Sequence, residues 1–432
     1  MKDFDAEYDV AIIGGRPSGA SLGARLGARG LRVLVVDRAE FPSLPAVPSC
    51  PTIHPGAMRL LDELGIDEAA YGDGVPKIRG AALEFTSYFT TKLAVPTAFG
   101  RDYLYGLDRR RFDFALWKHL ERYPSVTARQ GFAFQELIRD ASGQVIGFEG
   151  RQGDGPVERI RAGWVIGADG RFSLVARKAS AKVTEEHIER VSTVYYADWE
   201  GVAPFTEGEA QGIHIFVTGK GTDVLSIPVP EDRVMFATHQ RADRVDIGGD
   251  AEAYYEGVLR SCPGVARRIA GARRATPVIG IKRIANRYLE PGGPGWALTG
   301  DALHHKDPVD GQGIYDALIE TKVLAEAIAA QREGEKTWDE AITWYGRRVH
   351  EETHGMYLFT MDRLKRELYE EPPPIMIKTM MRWMLSDPGY QRDFFLCLSR
   401  AIPAEGWLTP GRIGKMMARG ALQDLKSLWR SP

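Results

Sequence analysis

The stretch from Tyr8 to Arg38, YDVAIIGGRPSGASLGARLGARGLRVLVVDR, constrains the fold of this chain more than any other. Val10 to Ile13 form an apolar run of strand length, and Gly14-Gly15-Arg16-Pro17-Ser18-Gly19 form a glycine-rich turn. A helix of small residues follows from Ala20 to Ala28, and a second apolar run, Val33 to Val36, ends on Asp37. A strand–turn–helix–strand unit is the context in which the glycine fingerprint G-x-G-x-x-G carries weight. The helix start leaves N–H groups unpaired, and its dipole favours negative charge, so it seats a pyrophosphate. Gly14 permits the tight turn, while Gly19 and Gly23 let the helix pack close to its strands. The contacts expected for a dinucleotide are therefore Gly14, Arg16, Pro17, Ser18 and Gly19. Asp37, 18 residues after Gly19 and followed by Arg38, is placed to accept from an adenosine ribose.

One position departs from the fingerprint. Its middle glycine, where backbone approaches the pyrophosphate, is Arg16. Either the site is degraded, or the Arg16 side chain turns outward and its charge helps to hold the phosphates. The intact remainder of the unit favours the second.

Composition narrows the class. A chain of 432 residues has room for two or three domains and a large core. Lys+Arg 56 against Asp+Glu 58 gives a net charge of −2, without the basic signature of a nucleic-acid or anionic-membrane partner. Cys50, Cys262 and Cys397 are scattered and form no C-x-x-C, which predicts reduced thiols in the cytoplasm. The acidic start MKDFDAEYDV is unlike a signal peptide. No apolar run approaches the ~18 residues of a transmembrane span.

The order of elements predicts an α/β fold. A Pro-rich excursion from Phe41 to Pro55 precedes a helix, and Asp108 can cap a helix whose first turn holds Arg109. Phe132–Ile138, Val145–Arg151 and Glu158–Ile166 read as a strand meander. From Val191 to His239 strands follow one another without helices, which marks a mostly antiparallel sheet inserted in a Rossmann-like βαβ domain. The expected division is 1–75, 105–180 and 285–335 for the dinucleotide domain, 76–104 and 181–284 for a substrate sheet, and 336–432 for a helical C-terminal region.

Two further stretches decide the reading. An apolar strand breaks at Gly167-Ala168-Asp169-Gly170-Arg171 into a turn and a helix. Another ends in Gly300-Asp301-Ala302, followed by His304, Pro308, Gly311, Gln312 and Gly313 at the start of a long helix. Asp301 can accept from a ribitol or ribose hydroxyl, and the N–H groups at Gly313 and Ile314 can face an electron-rich ring edge.

With Arg109 in an R-x-x-F-D setting, these three stretches resemble the FAD-binding signatures of flavoprotein monooxygenases of the p-hydroxybenzoate hydroxylase type, within a superfamily shared with geranylgeranyl reductases. The similarity spans roughly residues 8–330, with departures at Leu303 and Tyr315. The resemblance implies that the first motif holds the ADP half of FAD and that Asp169 lies near the pyrophosphate. It implies that Arg109 contacts phosphate or ribitol and that the backbone of Phe134 pairs with adenine. It places Asp301, Gly311, Gly313 and Ile314 along ribitol and isoalloxazine, with Pro308 at the reactive edge. The implied chemistry is reduction of FAD by NAD(P)H, capture of O₂ at flavin C4a, and hydroxylation or epoxidation of an aromatic or polyketide-like molecule.

Rivals on the same scaffold are reduction of prenyl double bonds, halogenation, and flavin binding without catalysis. The halogenase pattern Trp-x-Trp-x-x-Pro is missing, because Trp199-Glu200-Gly201 continues as Val202. His304 and His305 flank the flavin loop as proton relays or structural hydrogen-bonders. His214, Phe216 and His239 lie on strands that could face the ring, as substrate contacts. H-E-x-x-H at His350–His354 has no third histidine after it and reads as a charged, solvated helix face, so no metal is expected. Gly19-Ala20-Ser21-Leu22-Gly23 lies inside a helix and is no hydrolase elbow. The Met376–Met384 segment reads as helix packing, with a lid as the alternative.

Overall fold

The computed structural model describes residues 4–45 and 49–429, so part of the Pro-rich excursion lies outside the described residues. Its centre is a parallel sheet in which Ala6–Ile13 lies between Val33–Val36 and Val157–Gly167. Val126–Arg129 extends the sheet on one side and Trp296–Leu298 on the other, both parallel to their neighbours. Val10 to Ile12 and Val33 to Val35 are fully buried. Strands covered on both faces need continuous apolar runs rather than alternation, which is why these segments read as they do. The expected meander is present, and its last strand, Val157–Gly167, also joins the parallel sheet beside Ala6–Ile13.

The helix Pro17–Gly27 packs between this sheet and the 20-residue helix Gly313–Arg332. Its small residues are a steric requirement. A Cβ on Gly19 would stand 1.6 Å from the carbonyl oxygen of Gly14, and one on Gly23 would stand 2.8 Å from Val35.

A second sheet orders Ser192–Glu200, Arg233–Arg241, Thr222–Val229 and Ile213–Val217 as antiparallel neighbours. Gly80–Phe85 then pairs parallel to Ile213–Val217 and turns back as Phe89–Ala94. One face, with Tyr195, Trp199, Phe216, Val224 and Phe236, is covered by the helices Ala251–Ser261 and Pro263–Ile269. The other face carries Val194, Tyr196, Leu225, Met235 and Ala237. A mixed α/β fold with helices at the C-terminal end is thus present, as expected. The C-terminal region holds the 27-residue helix Trp338–Leu364, opened by a capping box between Thr337 and Glu340, and the helices Pro388–Leu398 and Pro410–Leu428. Among the described residues no helix is long and apolar enough to cross a membrane.

The close helix–strand contact yields a test. Gly19→Ala must push the helix off the Gly14 carbonyl and should cost about 1–3 kcal/mol, read as a lower melting temperature. An unchanged melting temperature would show that the helix shifts freely.

Candidate functional site

At the carboxyl ends of the parallel strands, just beyond Ile13, Val36 and Ala168, lies a cleft of about 580 Å³. It is lined by Gly14, Arg16, Pro17, Ser18, Asp37, Arg38, Arg109, Phe134, Asp169, Asp301, His304, His305, Pro308, Gly311, Gly313 and Ile314. The three motifs are therefore gathered on one surface. Gly19 lies beneath it, against Gly14. Two helices, Pro17–Gly27 and Gly313–Arg332, begin at the cleft, and neither has a side-chain cap. Their first-turn N–H groups are available to a ligand.

Asp37 is buried and accepts from the Gly15 N–H and the Ala39 N–H, each at 2.8 Å. It braces the glycine turn from the end of the next strand. Arg16 lines the cleft, and its guanidinium is also tied into the protein. It donates to the fully buried carboxylate of Asp113 at 2.6 Å, to the carbonyl and hydroxyl of Ser43 at 3.0 and 3.1 Å, and to the Leu44 carbonyl at 2.8 Å. Asp113 also receives Arg109 at 2.9 Å, and Arg109 reaches the Ser49 hydroxyl at 2.5 Å. One buried carboxylate thus receives two guanidinium groups, Arg109 and Arg16. Asp169 accepts from the Ser173 hydroxyl and the Leu174 N–H at 2.5 and 2.6 Å, which ties the turn to the next helix. Burial raises its pKa.

The loop from Gly300 to Asp316 is held by residues with no motif of their own. Glu320, fully buried, accepts the Gly300 N–H at 2.5 Å and lies 3.0 Å from Nδ1 of His304. Burial pushes the Glu320 pKa up and the His304 pKa down. Tyr288 stacks on His304 with ring centres 4.2 Å apart, and His305 bonds the Asp301 carbonyl through Nδ1 at 3.2 Å. Both rings brace the loop. Arg363 pairs with Asp310, which also accepts from the Thr360 hydroxyl at 2.6 Å. Arg400 donates to Gln312 at 2.8 Å and to Asp316 at 2.7 Å, and Lys306 pairs with Asp316. No sequence signal names these partners, and Thr360, Arg363 and Arg400 come from 50 to 88 residues downstream of the groups they meet.

A second, mostly apolar cavity adjoins the cleft and shares Ser49, Cys50, Arg171 and Pro308 with it. Val194, Tyr196, Ile215, Leu225, Met235, Ala237 and Ile281 line it, with His239 and Asp223. Nε2 of His239 lies 3.0 Å from Asp307. That pair raises the His239 pKa against the opposing effect of burial, and it lowers that of Asp307. His214 and Phe216 do not belong to this cavity. Side chains alternate along a strand, and it is Ile215 between them that faces inward. His214 lies on the opposite face, 3.2 Å from both Glu84 and Arg268, and burial drives its pKa down to about 3. Phe216 packs there beside Tyr255, and Trp199 donates to the Tyr255 hydroxyl at 3.0 Å.

The H-E-x-x-H helix face is also corrected. Glu185, from the strand Val183–His187, lies 3.1 Å from His354 and 3.9 Å from the exposed His350, so the face meets a strand as well as solvent. It lines neither cavity. In the Met-rich segment Ile377 is buried against Phe85 and Val217, while Met376 and Met380 are exposed.

The sequence signature of the FAD binding domain family matches residues 7–351. The ubiquinone hydroxylase UbiL of Rhodospirillum rubrum is 27% identical over 76% of this chain and 74% of its own length. A 1H-pyrrole-2-carbonyl-(peptidyl-carrier protein) brominase of Pseudoalteromonas luteoviolacea is 25% identical over 77% of this chain and 80% of its own. The solved structure of the flavin-dependent brominase Bmp2 superposes with a TM-score of 0.77 at 19% identity, covering 98% of this chain and 99% of that one.

The buried histidines predict a pH response. In the unfolded chain a histidine takes up a proton near pH 6.5. In the fold, burial holds His54 and His305 neutral down to about 4 and His214 down to about 3. The unfolded state therefore binds more protons as pH falls below 6.5. The stability of the neutral forms is fully present above that pH and is lost toward pH 4, at roughly 1.4 kcal/mol per pH unit for each group. Denaturant unfolding of His214→Gln should have a correspondingly shallower slope than the parent between pH 5.5 and 4.5. Equal slopes would mean that His214 is protonated in the fold.

Proposed function

The chain belongs to the FAD binding domain family, and from that premise we propose an NAD(P)H- and O₂-dependent monooxygenase acting on an aromatic or polyketide-like small molecule. It is an FAD-dependent oxidoreductase. The residues present fit an extended, anionic dinucleotide. Two uncapped helix starts open on one cleft, and Nε and Nη1 of Arg171 are buried beside it without protein partners. At Gly313 the nearest atom to an added Cβ would be an Asp301 oxygen 3.9 Å away, so backbone is exposed to a flat ligand there.

In this reading Ser18 and the turn Gly14–Pro17 receive the pyrophosphate, with Gly19 keeping the helix close enough to do so. Asp37 takes ribose hydroxyls on the lone pairs that its two backbone bonds leave free, beside Arg38. The backbone of Phe134 would pair with adenine, and Asp169 and Asp301 would serve the phosphate–ribitol stretch. Gly311, Gly313 and Ile314 face the ring, with Pro308 at its edge. Arg109 and Arg16 act through Asp113, holding the turn and the 43–44 loop in place. When bound, FAD supplies the electron transfer from the nicotinamide and the activation of oxygen. The protein positions the second reactant and excludes water. The parallel sheet then serves the cofactor and the second sheet the substrate. A cytoplasmic setting is part of the same proposal.

The single observation that carries the oxygenase reading is the apolar cavity that meets the cleft at Pro308. A small organic molecule held there lies next to the proposed ring edge. The hydroxylase among the relatives supports it. The brominase relative and the full-length likeness to Bmp2 favour halogenation as a second reading. Against it, the tryptophan that begins the broken motif, Trp199, is buried on the far face of the sheet.

Purified protein should be yellow and release FAD on denaturation. Suitable aromatics should stimulate NAD(P)H oxidation with matching O₂ uptake and no need for chloride or bromide. Halide-dependent product would favour the second reading, and a colourless protein that cannot be reconstituted with FAD would sink both. Asp37→Ala should weaken FAD binding by about 1–3 kcal/mol in titrations of the apoprotein. Unchanged affinity would remove Asp37 as the ribose acceptor.

A further inference from the structure

Outside both cavities, where the strand Val183–His187 meets the helix Trp338–Leu364, Glu185 has an unusual set of neighbours. The carboxylates around it are met by arginine: Glu186 by Arg287, and Glu351 and Glu352 of the helix by Arg348. Among the described residues Glu185 pairs with histidines alone. Nε2 of His354 lies 3.1 Å from Oε2 of Glu185, and Nε2 of His350 lies 3.9 Å from the same oxygen. Nε2 of His187 is 3.2 Å from Oε1. His350 and His354 stand one helical turn apart, and their rings stack with centres 3.9 Å apart. A proton on each stacked ring would set like charges against one another. A single cation at their common focus instead draws on both imidazole lone pairs and on the carboxylate at once.

We propose that Glu185, His350 and His354 form a binding site for a zinc-type divalent ion, with water in the fourth position. The chain carries no third histidine after His354, but the fold supplies the third ligand from a strand 169 residues earlier. The ligand atoms of the three side chains already lie within 4.8 Å of one another. Tetrahedral zinc takes nitrogen and oxygen at about 2.0–2.1 Å, which sets ligand atoms roughly 3.3 Å apart. The His354–Glu185 pair has that spacing, and His350, half exposed, has room to swing in. Two imidazoles with one carboxylate suit zinc, whereas magnesium and calcium call for oxygen donors throughout. The site lines neither cavity, so its role is a clamp and is independent of the reaction proposed above. Glu185 lies beside Tyr288 on the next strand, and Tyr288 lies beside His304 on the one after. The ion therefore fastens the long helix to this small sheet, next to the Tyr288 ring that stacks on His304.

The test uses FAD-loaded full-length protein without an affinity tag, first dialysed against a chelator. Zn²⁺ is titrated by calorimetry, and Co²⁺ by the visible bands of a tetrahedral ion at wavelengths beyond the flavin absorption. The parent protein should bind one equivalent of Zn²⁺, and its melting temperature should rise with Zn²⁺ concentration. Mg²⁺ at the same concentration should do neither. Glu185→Gln and His350→Gln should each weaken Zn²⁺ binding by at least about tenfold, the least that even an outer partner of a metal site costs. Both variants should lose the Co²⁺ bands and the Zn²⁺-dependent rise in melting temperature while keeping the parent's FAD content. His350 is the more exposed of the two, so His350→Gln keeps the test open if Glu185→Gln folds poorly. Zn²⁺ binding undiminished in both variants would place the ion elsewhere and overturn the site. Failure of the parent to bind Zn²⁺ and Co²⁺, or equal binding of Mg²⁺, would overturn it as well.

Discussion

The structure depends on neutralising the charges buried in one loop. Between Lys306 and Asp316 the chain buries Lys306, Asp307, Asp310 and Asp316, each less than a tenth exposed. Isolated charges in such a place cost several kcal/mol apiece, so each must be met by a partner with good geometry. The partners come from distant parts of the chain. Asp307 is met by His239 and Ser192 of the second sheet, Asp310 by Arg363 and Thr360 of the long helix, and Asp316 by Lys306 and by Arg400 beyond the helix Pro388–Leu398. The loop can take up this conformation only when the second sheet and the C-terminal helices are in place around it. The C-terminal region is therefore part of how the cleft is built.

Arg16 makes a further buried contact, to a carboxylate that Arg109 already meets. A glycine at that position would leave Asp113, fully buried, with Arg109 alone. Arg16 supplies the second cation and at the same time pins the 43–44 segment beside the glycine turn. The departure from the fingerprint is compensated inside the protein, and its compensating partner lies 97 residues away. A reading confined to the motif itself weighs only a degraded site or a phosphate contact for that charge.

What was legible in the sequence was what has a local cause. Continuous apolar runs fall on strands buried on both faces, Asp108 caps its helix through the Arg110 N–H, and small residues mark the helix that must touch its strand. The three glycine- and aspartate-bearing turns identify a cleft because each is a short segment with its own backbone requirement. Facing on the second sheet was not legible. His214 and His239 are both polar residues on strands of apolar character, and only the helices on the far face separate them. Nor was Glu320, a single acidic residue within a helical pattern, distinguishable from a solvated one until the Gly300 N–H and His304 were found around it.

The two cavities differ in what they ask of a ligand, and the loop between them explains why they lie side by side. The cleft is built from backbone N–H groups and braced carboxylates, a surface that suits a long polar molecule held at many points. The neighbouring cavity has apolar walls and a polar end at Asp223 and His239, which suits a compact molecule held mostly by its shape. Pro308 belongs to both. It follows Asp307, which is anchored to the second sheet, and precedes Asp310, which is anchored to the long helix. A shift of either anchor would move Pro308 relative to both cavities at once. The alignment of cofactor cleft and substrate cavity is thus set by the ion pairs that make the loop foldable.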